Sequence, residues 1–463
     1  MAKPKVQLPV VPSSSLKDDG SRNFVHPADV KGRFVKARYA FFAALIVVWA
    51  VAPWVKINGN PAVFLDVVNR RFYLFGLTFN AQDAWLLFFV FSGVGLSIIF
   101  ITTILGRVWC GWACPQTVFM EGVFRRIERY VEGPRNARLR RNAGPWSFDK
   151  VWRKALKHLL FVVAALFVSH VLLSFFTSMP TLLQMMGDSP TEHPAAFGWM
   201  LAVSVVLYGN FAWFREQLCV IICPYGRLQS VMTDDDSLVV GYDAIRGEPR
   251  GKAKDPEAGD CVDCKRCVVV CPTGIDIRNG LQLDCIGCTA CIDACDTVMD
   301  KLGRDRGLIR YDSLNGLEHK PKRLFRPRLL LYFAIIAAWA VGAFFAFSSN
   351  DPFEANLVRL RGAPYHLIEE GTVARNLFTL HLVNKSSAEE TFTIEPVAAE
   401  GLSYRIGHEE VTLGSLDGQE ISVYVDVDVA TFSPGDRLQL QIRRLGDDPQ
   451  EQVVDAALLG PRR

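Results

Sequence analysis

The sequence predicts a polytopic α-helical membrane protein of five helices. A cysteine-rich α+β domain is inserted before the fifth helix, and an all-β domain follows it. Three observations predict this: five long apolar stretches, two cysteine runs of identical spacing between the fourth and fifth stretches, and a period-two pattern in the tail. Composition agrees. At 463 residues and 50% hydrophobic content the chain is too apolar for an ordinary soluble protein, and 21% charged residues are too many for one lying wholly in lipid. The net charge of +3 averages over strong local asymmetry and gives no ground for a nucleic-acid partner.

Spanning roughly 30 Å of hydrocarbon takes about 20 helical residues. Stretches of about that length lie at 39–55, 84–106, 156–178, 196–214 and 328–348. The first starts too far into the chain, behind the polar segment KPKVQLPVVPSSSLKDDGSR, to be a cleaved signal peptide, so it is expected to stay as a membrane helix. Basic residues set the orientation. Lys31, Arg33, Lys36 and Arg38 precede the first helix, and Arg125, Arg126, Arg129, Arg135, Arg138, Arg140 and Arg141 crowd the loop after the second. Both segments are expected in the cytoplasm. The segment between the first two helices has only Lys56, Arg70 and Arg71, and TSMPTLLQMMGDSPTEHPAAFG between the third and fourth has neither lysine nor arginine. These should face outward, and an odd helix count then puts the C-terminal end outside.

The expected division is a disordered cytoplasmic arm at 1–37, a four-helix membrane domain at 38–223, a cytoplasmic cysteine-rich domain at 224–327, the fifth helix at 328–349 and an outer β domain at 350–463. On this topology all twelve cysteines fall at or beyond cytoplasmic helix ends. Disulfides belong mainly to oxidising compartments, so ligand or redox roles are favoured.

CVDCKRCVVVCP at 261–272 and CIGCTACIDAC at 285–295 each read C-x2-C-x2-C-x3-C, the run that wraps a [4Fe-4S] cluster. In two-cluster ferredoxins the fourth cysteine of each run ligates the other cluster. One cluster therefore takes Cys261, Cys264, Cys267 and Cys295, the other Cys285, Cys288, Cys291 and Cys271. Zinc is the competing reading, but zinc sites use paired cysteines from separated knuckles and have no use for the third and fourth at these steps. One departure stands out: Pro272 follows Cys271, but Asp296 follows Cys295.

The remaining four cysteines form two further pairs, Cys110 and Cys114 in RVWCGWACPQ and Cys219 and Cys223 in REQLCVIICPYG. Each is C-x3-C-P at the end of an apolar helix. Positions i and i+4 share a helix face, and both helices run outside to inside, so four thiols are expected to converge at one depth. The proline suits a helix end or kink. Arg107 and Arg215 lie about one turn earlier, where a cation would favour thiolate. Buried structural cysteines are the plain alternative. Soft thiolates select Cu(I), zinc or iron–sulfur, and a dithiol could also cycle as a disulfide.

RVWCGWACPQTVFMEGVFRRIE, FREQLCVIICPYGRLQS, the two cysteine runs and YDAIRGEPRG closely resemble the CcoG family, also called FixG or RdxA, the cytochrome c oxidase accessory proteins. The resemblance covers nearly the whole chain, including RRFYLFGLTF. It implies a role in assembling cbb3-type oxidase through reduction of Cu(II) to Cu(I), that is, a cupric reductase. It also implies the inner membrane of a Gram-negative bacterium. It carries copper onto Cys110, Cys114, Cys219 and Cys223 and two [4Fe-4S] clusters onto the eight run cysteines. Partners implied are oxidase subunits or copper-transport and copper-chaperone proteins, with an unidentified electron donor and membrane lipid around the helices.

Two alternatives share these motifs. NapH-type membrane ferredoxins, linked to quinol oxidation, also combine C-x3-C-P pairs with two cluster runs, but a plain NapH-type chain lacks the fifth helix and the tail. A redox-sensing assembly scaffold without turnover is the other. The tail alternates polar and apolar residues in NLFTLHLVN, ETFTIEPV, EISVYVDVDV and RLQLQIRRL, which indicates antiparallel strands in a small sandwich. The resemblance implies that it is immunoglobulin-like. It has no cysteine, so it is expected to dock partners rather than do chemistry. Weaker candidates are Met179, Met185, Met186 and His193 as an outer copper catch, and His170 inside the third helix, expected to bond a neighbouring helix. Glu216 is expected to offset Arg215.

Overall fold

The computed structural model describes residues 24–461 apart from 58–59, 68–69, 80–81, 324, 349–350, 387, 398–401, 416 and 447–448. The chain divides into two compact units, one through Ala343 and the other from Phe344.

In the first unit, five helices are long and apolar enough to cross a membrane: Arg33–Trp54, Leu86–Leu105, Phe148–Leu173, Pro194–Phe214 and Pro327–Ser348. Their outward faces carry exposed apolar side chains such as Phe88, Phe91, Val206 and Phe333, a surface that suits lipid. Inward faces interlock through small and polar groups. Ser169 and Ser204 share a 2.7 Å hydrogen bond between the third and fourth helices. Trp339 of the fifth donates to Ser92 of the second at 3.0 Å. Gly93 makes room for that indole, since a Cβ there would meet its ring at 2.4 Å. Phe124 stacks on Phe211 at 4.2 Å and meets Phe161 edge-on at 5.0 Å. Between the first two helices, Val63–Asp66, Arg71–Leu74 and Leu77–Phe79 form an antiparallel sheet.

The first and third helices start several residues before the apolar stretches that announce them. Near these starts Arg38 and Lys150 are buried, although Phe148, Val151 and Trp152 around Lys150 stay exposed. Of the arm expected to be disordered through residue 37, residues 1–23 lie outside the described residues, and the remainder corrects the expectation. Ala28 donates to the Val269 carbonyl at 2.9 Å, and Arg135 and Arg138 donate to the carbonyls of His26 and Pro27 at 2.9 and 3.1 Å. The helix at Arg33 is capped from far along the chain, because Asp293 accepts from the Val35 amide at 2.8 Å. Gly32 permits this, as a Cβ would sit 2.0 Å from the Asp293 carboxyl carbon.

Between the fourth and fifth helices lies the inserted α+β domain. Leu238–Tyr242 pairs antiparallel with Ile309–Ser313, and helices Arg266–Val269 and Ala290–Leu302 pack with them. Val240, Ile277, Ile292, Met299, Leu308 and Ile309 form its core.

Beyond the last turn of the fifth helix, the second unit is built of β-strands. One antiparallel sheet orders Leu402–Ile406, Gly418–Asp428, Val373–Asn384 and Phe353–Arg359, with His366–Ile368 also pairing with the start of Val373–Asn384. The other orders Glu410–Leu413, Glu390–Pro396, Arg437–Leu445 and Glu451–Ala457. Strict alternation of buried and less buried residues along Val373–Asn384 sends Phe378, Leu380 and Leu382 into the core. Each of the four quoted period-two runs falls on a strand, to within one residue at its end.

Candidate metal centres

The two cysteine runs fold into paired loops with a shared backbone signature. Asp263 and Lys265 in the first run, and Gly287 and Thr289 in the second, all have φ between 49° and 66°. These are equivalent positions, flanking the second cysteine of each run. Left-handed backbone at non-glycine residues costs energy and persists where the surroundings demand it. Here it coils each loop so that successive cysteines turn inward. Cys261, Cys264, Cys267 and Cys295 line one cavity. Cys271, Cys285, Cys288 and Cys291 line a second, which Cys267 also borders. Four thiols around each of two cavities, with the fourth drawn from the opposite run, fit a pair of [4Fe-4S] clusters. Burial pushes the thiols of Cys267, Cys288 and Cys295 up to about 12, so they become thiolates only with a cationic group between them.

Asp296 has a structural account. Cys271 follows a one-turn helix, and Pro272 ends it, whereas Cys295 lies inside Ala290–Leu302, which continues past it. A proline at 296 would interrupt that helix. Asp296 instead accepts from the Gly307 amide at 3.1 Å.

The C-x3-C-P pairs are built alike. The second long helix ends at Gly106 (φ 57°, ψ −127°) and the fourth at Arg215 (φ 55°, ψ −123°). Four residues on come Cys110 and Cys219, each inside a π-helical turn, Trp109–Ala113 and Leu218–Ile222. Cys114 and Cys223 then take extended backbone, as residues before proline favour, and Pro115 and Pro224 open the next helices. The two pairs are thus one substructure used twice.

All four thiols border one cavity of ≈ 440 Å³, together with Ile98, Ile99, Tyr225, Leu228 and Gln229. They surround a space rather than a point: among the described residues, no three His, Cys, Asp or Glu side chains are grouped closely enough to hold a single ion. Burial pushes Cys110 and Cys219 up to about 12. The Gln229 amide nitrogen lies 3.0 Å from the Cys110 sulfur and opposes that shift. Sequence reasoning missed Gln229, which is 119 positions from Cys110 and carries no spacing signal.

The arginines act otherwise than expected. Arg215 bonds Glu128 at 3.0 and 3.3 Å, and Glu216 offsets it at 3.7 Å while also holding Arg125 at 3.0 Å. It belongs to a buried ion network and is not a leading influence on Cys219, where burial and the other three thiols dominate. Its place in the turn is conformational, matching Gly106. Arg107 lowers Cys110 only weakly against burial. Its guanidinium instead donates to the Cys285 carbonyl at 2.9 Å and to that of Leu283, both in the second cluster loop. Arg125 donates to the Pro272 carbonyl at 2.9 Å. Gly111 lets the backbones meet, for a Cβ would lie 2.6 Å from the Ile286 carbonyl oxygen. Cys285 and Ile286 consequently line both the second cluster cavity and the four-thiol cavity.

The weaker candidates fall elsewhere. His170 donates within its own helix, to the Leu166 carbonyl at 2.7 Å, rather than to a neighbour. His193 contacts Asp188 at 3.1 Å, and Met179, Met185 and Met186 lie along helix Met179–Gly187. None of these borders the four-thiol cavity.

Comparison with known proteins matches this geometry. Family models for a 4Fe-4S binding domain, a 4Fe-4S dicluster domain and the IG-like fold at the C-terminal end of FixG match residues 85–133, 214–314 and 343–461. The "Nitrogen fixation protein FixG" of Rhizobium meliloti is 33% identical over 455 residues, 89% of this chain and 85% of its own. "Protein RdxA" and "Protein RdxB" of Cereibacter sphaeroides are 35% and 34% identical, spanning 82% and 86% of this chain and 84% and 87% of theirs. With its helices, cluster loops and C-terminal sandwich in this order, the chain belongs to the FixG/RdxA family of iron–sulfur oxidoreductases.

Proposed function

We propose that this protein is a cupric reductase of the bacterial inner membrane that makes Cu(I) for assembly of cbb3-type cytochrome c oxidase. The single observation that carries the reading is the sharing of Cys285 and Ile286 between the second cluster cavity and the four-thiol cavity. When bound, the clusters supply one-electron transfer; Cys261, Cys264, Cys267 and Cys295 hold one, and Cys271, Cys285, Cys288 and Cys291 the other. Cys110, Cys114, Cys219 and Cys223 take the copper substrate. Thiolates favour Cu(I) over Cu(II), which makes the one-electron reduction easier by the difference in affinity. Because the thiols surround a space, each pair is suited to the low coordination that Cu(I) accepts. Arg107, Arg125 and Gly111 keep the second loop against this site.

The charge asymmetry of the loops supports an orientation with the cluster domain in the cytoplasm and the C-terminal sandwich in the periplasm, where it would dock oxidase subunits or copper-carrying proteins. A second reading, quinol oxidation, draws on the apolar walls of the four-thiol cavity, Ile98, Ile99, Leu228 and Met232. The test is X-ray absorption at the copper edge on anaerobic protein loaded with Cu(I). Sulfur-only coordination that disappears when Cys110, Cys114, Cys219 and Cys223 are changed to serine is expected. Copper bound equally by the serine variant would contradict the copper site, and cluster reduction by a short-chain quinol would then favour the second reading.

A further inference from the structure

One cluster ligand lies at the surface. Cys264 is exposed, whereas its partners Cys261 and Cys267 are buried and Cys295 is half-buried. Beside it opens a cleft of ≈ 590 Å³, on the first run and away from the residues that line the four-thiol cavity. The cleft carries four cations, Arg250, Lys252, Lys265 and Arg278, against one carboxylate, Asp263. Two of the cations are engaged: Arg278 with Asp263 and with Asp276 at 2.6 Å, and Arg250 with Glu248 at 2.7 Å. Among the described residues, Lys252 and Lys265 make no ion pair, and both are exposed. The left-handed turn at Lys265 sets its backbone directly between Cys264 and Cys267. Free cations around an exposed ligand attract and orient a partner of opposite charge, and the short path from surface to sulfur suits electron transfer.

We propose that this cleft docks an acidic one-electron carrier protein of the ferredoxin or flavodoxin kind. The carrier gives up one electron, and the centre held by Cys261, Cys264, Cys267 and Cys295 gains it; no bond forms or breaks. The proposal rests on the reading of those cysteines as cluster ligands and does not depend on copper being the final acceptor.

The experiment uses the full chain with its clusters in nanodiscs of phosphatidylcholine. Binding of an oxidised acidic [2Fe-2S] ferredoxin is measured at low and high salt for wild type, K252E and K252E/K265E, with iron counted in each. Lys252 lies outside the cysteine loops, so K252E keeps the test valid should the double variant lose its clusters. The expected result is binding weakened about tenfold or more by K252E, and weakened again by added salt. Binding that neither K252E nor salt changes would overturn the proposal. So would binding to phosphatidylserine vesicles in place of ferredoxin, which would assign the cleft to a membrane surface. Iron well below about eight atoms per chain contradicts the underlying cluster reading, whereas full iron without ferredoxin binding contradicts the docking site alone.

Discussion

Cys110 and Gln229 show how little a sulfur's environment owes to its neighbours in sequence. Burial keeps Cys110 and Cys219 protonated up to about 12, so each must lose its proton before it can ligate copper. The sign is direct: Cu(I) binding releases protons, and affinity rises with pH by about tenfold per unit for each thiol displaced. Gln229, donating to the Cys110 sulfur, stabilises the deprotonated form. A hydrogen bond to a charged group is worth about 1.5–3 kcal/mol, so Gln229→Leu is expected to weaken Cu(I) binding about tenfold or more. A competition titration against a Cu(I) chelator across pH measures both effects. Every thiol was legible in the sequence, because spacing alone names them. Their electrostatics were not: Arg215 turns to Glu128 and Glu216, Arg107 turns to the second cluster loop, and the hydrogen bond to Cys110 comes from a glutamine on another helix.

At the level of elements, a repeated turn does the positioning. A left-handed residue, a π turn and an extended cysteine before proline occur twice, and only the proline and the cysteines announced them. The C-x3-C spacing read as one α-helical face is in fact carried by π turns, in which Cys114 and Cys223 stand outside the helix. The arm failed to read as ordered for a related reason: its partners, Val269, Arg135, Arg138 and Asp293, are remote in sequence. Contact between elements rests on Gly111, packed on the Ile286 carbonyl. Gly111→Ala forces the second cluster loop away and is expected to destabilise by about 1–3 kcal/mol, as overpacking does. Thermal release of iron, faster from this variant than from wild type, is the readout; unchanged release would show that the two backbones do not press together.

Across the whole molecule, lining residues are shared in sequence. Cys267 borders both cluster cavities, and Cys285 and Ile286 border the second of these and the four-thiol cavity. The order runs from the exposed side at Cys264, through two cysteine-lined cavities, to the ends of two apolar helices. Fold class was legible because apolar length, ligand spacing and period-two alternation are local signals. This order was not, because Arg107, Arg125 and the glycines that press the domains together belong to no motif.

The most direct measurement is an anaerobic single turnover: dithionite-reduced protein, freed of excess reductant, is mixed with stoichiometric Cu(II), and cluster reoxidation is followed against Cu(I) formation. The account predicts that the two proceed together in wild type and that the variant with Cys110, Cys114, Cys219 and Cys223 changed to serine keeps its clusters reduced. Equal Cu(I) formation by that variant would contradict it.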